Sequence, residues 1–276
     1  MAPEIGILVI HGIGVQEKNF ADGFIDKVNG RLKDVGVLPE AVAWEPAFWA
    51  DLLTKNEDDL WKKLSAPYDL GWVKVRKFVI NVLADAVAYQ RDPEEDEDMY
   101  KRIHARIREH LAHLRTSLGD QDKPLIIIAH SLGSVIASNY TWDAQRQNKY
   151  SLGANSFERM ETLASLVTFG SNIPLFTLAL SDPKPIEFPP AQLPANLKAA
   201  AKWLNFFDPD DVLGYPLKPL SPSYGETVSA DIEVNVGGLF TSWNPISHTE
   251  YWTDDNFTKP VAALIRDVAV AGRTAQ

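Results

Sequence analysis

A chain of 276 residues with no cysteine and a formal net charge of −10 excludes several functions at once. It has no disulfide, no thiolate nucleophile and no cysteine-ligated metal, and it shows no basic stripe of the kind a nucleic-acid binder needs to neutralise phosphates. With 45% hydrophobic residues it can bury the large core of a single soluble α/β domain.

In chain order, short apolar runs alternate with longer amphipathic stretches, the pattern of a mostly parallel sheet wrapped by helices. The N-terminal MAPEIGILVIHG has no basic region, and its apolar run is too short for a signal peptide. A strand is expected over 5–10, ending in His11-Gly12-Ile13-Gly14, then a helix over 20–33 and a strand over 41–44. From about Pro46 to Asp92 the alternation breaks, and we expect a helical cap or lid inserted into one domain spanning 1–276. Trp44, Trp49, Trp61 and Trp72 crowd its start, as either an apolar substrate channel or ordinary packing between cap and sheet. The nearest approach to a membrane span, FVINVLADAVAY, is interrupted by Asp85 and falls short of the roughly 18 apolar residues required. A soluble, cytoplasmic protein is expected.

The acidic run DPEEDED lacks the glycine and spaced ligands of a calcium loop. Asp92 as N-cap and Pro93 at the first helical position explain it as the start of a helix over 94–117. Strands over 125–129, 163–169, 203–207 and 232–236 follow, with helices over 132–147 and 255–270. A proline-rich surface loop occupies 188–197. The strands are almost continuously apolar, which implies burial on both faces of the sheet.

Between the third strand and its helix stands Ala129-His130-Ser131-Leu132-Gly133. A serine hydroxyl is a poor nucleophile until a base removes its proton. One recurrent solution seats it on a strained strand-to-helix turn, G-x-S-x-G, with small residues where bulk would clash. Ala129 and Gly133 fill those positions, so Ser131 is the expected nucleophile. The order nucleophile, acid, histidine places the base downstream, and of the six histidines only His248, in SWNPISHTEYW, follows Ser131. The orienting carboxylate is sought after the penultimate strand, in DPDDV. Asp210 is the first choice, Asp208 the alternate and Asp211 the third; the others shape the turn. At the N-terminus, the amide of Ile13 (Gly14 as alternate) together with that of Leu132 would form the oxyanion hole.

Two other chemistries fit less well. A dinucleotide fingerprint would need a third glycine where Glu17 stands, and a carboxylate there repels a pyrophosphate. Glu109-His110 and His113 differ in order and spacing from a zinc-protease H-E-x-x-H and read as a solvated helix face. No cofactor and no metal are expected.

With VIHGIG, IIAHSLGS, LVTFGSNIP, DPDDV and SHTEYW in this order, the chain resembles the α/β-hydrolase superfamily. The likeness is to its lipase and esterase types, including the class three lipases and the GPI inositol-deacylase-like group. The resemblance implies an eight-stranded, mostly parallel sheet with Ser131, Asp210 and His248 as triad; Ala129 in place of the first elbow glycine is a departure. The expected substrate is a small-molecule or lipid-like carboxylic ester with an apolar acyl group, and the negative charge disfavours steady adsorption to anionic membranes. Acyl transfer, thioester hydrolysis and a non-catalytic scaffold are the alternatives.

Overall fold

The runs IGILVI and LIIIAH are buried at every position, and only a strand covered on both faces can accommodate such sequences. A computed structural model describes residues 2–12, 16–53, 59, 61–63, 86–89, 98–146, 153–236 and 251–273. It contains the strands β1 (Ile5–Ile10), β2 (Val42–Ala47), β3 (Leu125–His130), β4 (Leu163–Phe169), β5 (Lys202–Phe207) and β6 (Ala230–Glu233). They form one sheet in the order β2-β1-β3-β4-β5-β6, and every pairing is parallel. Helices α1 (Asp22–Asp34), α2 (Met99–Ser117), α3 (Leu132–Arg146), α4 (Ile173–Phe176), α5 (Ala195–Ala200), α6 (Pro222–Thr227) and α7 (Asp255–Arg273) accompany it.

Successive side chains of a strand point to opposite faces, which divides the core in two. Leu8, Ile10, Leu125, Ile127 and Ala129 pack against Ile103, Ile107 and Leu111 of α2 and Leu132, Val135 and Ile136 of α3. On the other face Ile7, Val9, Ile126, Ile128 and Val167 meet Phe24, Val28 and Leu32 of α1 and Phe257, Val261 and Ile265 of α7. Asp255, in the first turn of α7, accepts from Arg31 of α1 at 2.7 Å and ties those two helices at their ends.

The expected elements are present, with shifted ends that have physical causes. β2 continues through Pro46 to Ala47. A proline is tolerated there because β2 is an edge strand, paired only with β1. The cap of α2 is Asp98, whose carboxylate accepts from the Lys101 N–H at 2.8 Å, in place of the expected Asp92. The helix therefore begins after the acidic run, which does not supply its first turn. β6 is short and only partly buried, and it lies earlier than the expected 232–236. Six strands stand among the described residues, against the eight that the resemblance implied. Most of the expected cap (54–58, 60, 64–85 and 90–92) lies outside the described residues, as does Trp72. Among the described residues no helix is long and apolar enough to cross a membrane.

Candidate active site

β3 ends at His130, and Ser131 turns the chain into α3 with a φ of +50°. A residue carrying a Cβ is strained in that left-handed region by about 1–2 kcal/mol, so its neighbours must hold it there. The Ser131 N–H donates to the Phe169 carbonyl at 3.0 Å. The Ser131 carbonyl accepts from the Ser134 N–H at 2.9 Å and from Ser134 Oγ at 2.6 Å. Ser134 Oγ in turn lies 2.8 Å from Ser171 Oγ, so the segment after β4 helps to pin the turn. Ser134 closes IIAHSLGS and Ser171 stands in LVTFGSNIP, motifs that carry the resemblance, but neither is among the expected site residues.

The small residues around Ser131 are demanded by contact. A Cβ on Gly12 would stand 2.5 Å from the Ser131 Cβ, and one on Gly133 would stand 2.5 Å from the His11 carbonyl oxygen and 2.7 Å from that of Ile10. The His-Gly end of β1 therefore packs directly onto the turn. Ala129 sits within β3, opposite Ile10 and Thr168, where its methyl group joins the core beneath α2 and α3. Ser131 itself is wholly buried. Leu132, expected to offer an oxyanion-hole amide, opens α3, whose first N–H groups have no intrahelical acceptor.

His11 fixes the neighbouring loop. Its Nδ1–H donates to the Gly12 carbonyl at 2.7 Å and its Nε2 accepts the Trp49 N–H at 3.1 Å. The Trp49 indole donates back to the His11 carbonyl at 3.1 Å and stacks on the imidazole at 4.8 Å. These roles require a neutral ring, and burial pushes its pKa down from 6.5 to about 4. Acidification from pH 6.5 to about 4 therefore protonates His11 in the unfolded chain before the folded one. Stability falls across that window by up to about 3 kcal/mol. Urea unfolding at pH 7 and pH 4.5, with His11→Asn beside the wild type, measures it: the variant should lose less stability between the two pH values. Equal losses would assign the whole effect to the carboxylates.

β5 delivers the aspartates. Asp208 and Asp211 are buried, whereas Asp210 is exposed. Asp208 accepts the Asp210 N–H on Oδ1 at 2.8 Å and the Val236 N–H on Oδ2 at 2.6 Å, so it shapes the turn and ties it to the segment after β6. Asp211 accepts the Leu213 N–H at 3.0 Å and the Tyr251 hydroxyl at 2.9 Å. Tyr251 Oη also accepts the Asp208 N–H at 2.8 Å. Burial and the adjacent Asp211 carboxylate hold this phenol far above its ordinary pKa, so it remains a donor. A Cβ on Gly214 would lie 2.5 Å from Asp211 Oδ2 and 2.9 Å from Gly170 Cα. Glycine at 214 thus lets the chain pass close to both the Asp211 carboxylate and Gly170, the residue after the Phe169 carbonyl that holds the Ser131 N–H.

A network between β5 and the edge strand β6 supports this turn. Asn205 of β5 donates to Asp231 of β6 at 2.8 Å and to the Tyr215 carbonyl at 3.1 Å. Asp231 accepts the N–H groups of Leu217 and Lys218. The chain leaving Asp211 is thereby folded back onto the sheet.

The structure thus sets Ser131, the His11-Gly12 end of β1, Asp208 and Asp211 at the carboxyl ends of strands in one parallel sheet, with β1 beside β3 and β4 between β3 and β5. His248, Ile13 and Gly14 lie outside the described residues. Sequence reasoning missed Tyr251, three positions after His248, and the clamp of Trp49 on His11. No protein-family model matches the chain, and no curated protein matches it either.

Proposed function

We propose that this protein is a serine hydrolase of the α/β-hydrolase type that cleaves carboxylic esters. The observation that carries this reading is the left-handed Ser131 between β3 and α3, with Gly12 and Gly133 packed so closely that no side chain fits at either. In the proposed mechanism Ser131 Oγ attacks the ester carbonyl while His248 takes its proton. The amides of Leu132 and Ile13, with Gly14 as alternate, receive the oxyanion. His248 then protonates the leaving alcohol, and water resolves the acyl-enzyme by the same steps.

Sequence order favours Asp210, with Asp208 as alternate, for the acid that orients His248. Burial and bonding support Asp211 as a second assignment. An orienting carboxylate acts most strongly away from water, and whereas both Asp208 oxygens accept backbone amides that shape the turn, Asp211 accepts one backbone amide and the Tyr251 hydroxyl. Exposed Leu175, Leu178 and Leu180 after β4, with Val212 after β5, support an apolar or lipid-like ester. The complete burial of Ser131 favours one further reading, acyl transfer to an alcohol or thiol by the same triad, since a closed site keeps water from the acyl-enzyme.

Exposure to a fluorophosphonate followed by intact mass measurement tests the proposal. One adduct on the wild type and none on Ser131→Ala is the expected result. No adduct on either folded protein would move the non-catalytic scaffold to the front. Product analysis with alcohol and thiol acceptors present separates hydrolysis from transfer.

A further inference from the structure

We propose that Glu45, His110 and His113 form a binding site for one transition-metal dication of the Zn²⁺ class. Glu45 lies on the edge strand β2, separated from β3 by β1, while His110 and His113 stand at i and i+3 on α2, on one side of that helix. One ligand atom from each can be chosen so that all three lie within 4.8 Å of one another. His110 Nδ1 is 2.6 Å from Glu45 Oε1, and His113 Nδ1 is 3.9 Å from the same oxygen. Tetrahedral Zn²⁺ with bonds of ~2.0 Å separates its ligand atoms by ~3.3 Å. The two separations to Glu45 Oε1 bracket that value, and the whole set lies within 4.8 Å, so small side-chain rotations are what an ion would require.

The donor set selects the metal. Two imidazoles and one carboxylate suit Zn²⁺, Co²⁺ or Ni²⁺ and disfavour Ca²⁺ and Mg²⁺, which take oxygen ligands. No cysteine anywhere in the chain competes for such an ion. Glu45 and His110 are largely buried, at 20% and 17% side-chain exposure, on two packed elements, whereas His113 at 73% is free to swing in and leaves an approach from solvent. Arg106, one turn before His110 on α2, has its charge met by Asp51 at 2.9 Å and Glu109 at 3.4 Å. Three protein ligands leave a fourth position for water.

The test uses the untagged, full-length protein after treatment with a chelator. Co²⁺ is titrated while the visible absorption of the bound ion is followed, and Zn²⁺ is titrated by calorimetry. One equivalent per chain is expected, with Zn²⁺ displacing Co²⁺ and raising the thermal midpoint as mass action requires. His113→Ala removes an exposed ligand without disturbing the core and should weaken Zn²⁺ binding by about tenfold or more, since losing even an outer-sphere partner costs that much. His110→Gln should do the same. Absence of uptake by the wild type, or uptake that both variants leave unchanged, would overturn the site and leave His110 and Glu45 as a simple hydrogen-bonded pair.

Discussion

Ser131→Ala should abolish ester hydrolysis, and Ser131→Gly should abolish it equally, but the two variants should differ in stability. At a φ of +50° alanine keeps the steric strain of the native serine, whereas glycine has none. Ser131→Gly should therefore unfold about 1 kcal/mol later than Ser131→Ala, an advantage reduced by the extra freedom glycine gives the unfolded chain. Chemical denaturation of both, alongside kcat with a short-chain ester, measures the two effects separately. Wild-type turnover in either variant would remove Ser131 from the mechanism. Equal stabilities would mean that the turn stores no strain worth relieving.

Replacing the aspartates after β5 one at a time by asparagine should produce one large loss and two small ones. The residue that orients His248 should lose on the order of 10⁴ in kcat, because an amide in its place stabilises the wrong tautomer. On burial and bonding that loss falls to Asp211→Asn; on chain order it falls to Asp210→Asn. Asp208→Asn should mainly destabilise the fold, by about 1–3 kcal/mol, since its oxygens satisfy the amides of Asp210 and Val236. Tyr251→Phe adds a check, because it removes the hydroxyl that donates to Asp211 and accepts from the Asp208 N–H. If Asp211 is the acid, that variant should lower kcat with little change in KM. If Asp210 is the acid, its cost should appear in stability and leave kcat near the wild-type value.

How much of this was legible in the sequence differs from element to element. β1 and β4 begin and end where expected, because both are buried at every position and begin and end on an apolar residue, the polar positions Ser165 and Thr168 of β4 being internal. β2 runs past the expected end at Trp44 because His110 of α2 partners Glu45 and the strand's place at the sheet edge tolerates Pro46. The start of α2 was misplaced because an aspartate caps through backbone geometry, and a run of acids does not say which of them adopts it. The serine turn could be read because it is local: a strand, a small pentapeptide and a helix. Chain order ranks Asp210 first among the aspartates, yet Asp208 and Asp211 are the buried ones, because their partners Val236 and Tyr251 stand far along the chain. Likewise His110 and His113 of α2 gave no hint of Glu45, which is 65 residues from His110 and reaches it only because β2 packs beside that helix.

The order of the strands also governs how the molecule comes to be made. β1 lies inside the sheet, and one of its two edges pairs with residues 125–129. As the chain leaves the ribosome, Ile5–Ile10 can meet β2 early but must wait for everything up to β3 before its second edge is covered. All the pairings are parallel and need long crossovers, so contacts in this sheet are mostly distant in sequence, and such topologies form slowly. During that wait an uncharged apolar strand has an open edge, the kind of surface that sticks to other unfinished chains. Expression at low temperature or with added chaperones should therefore raise the soluble yield without altering the finished protein.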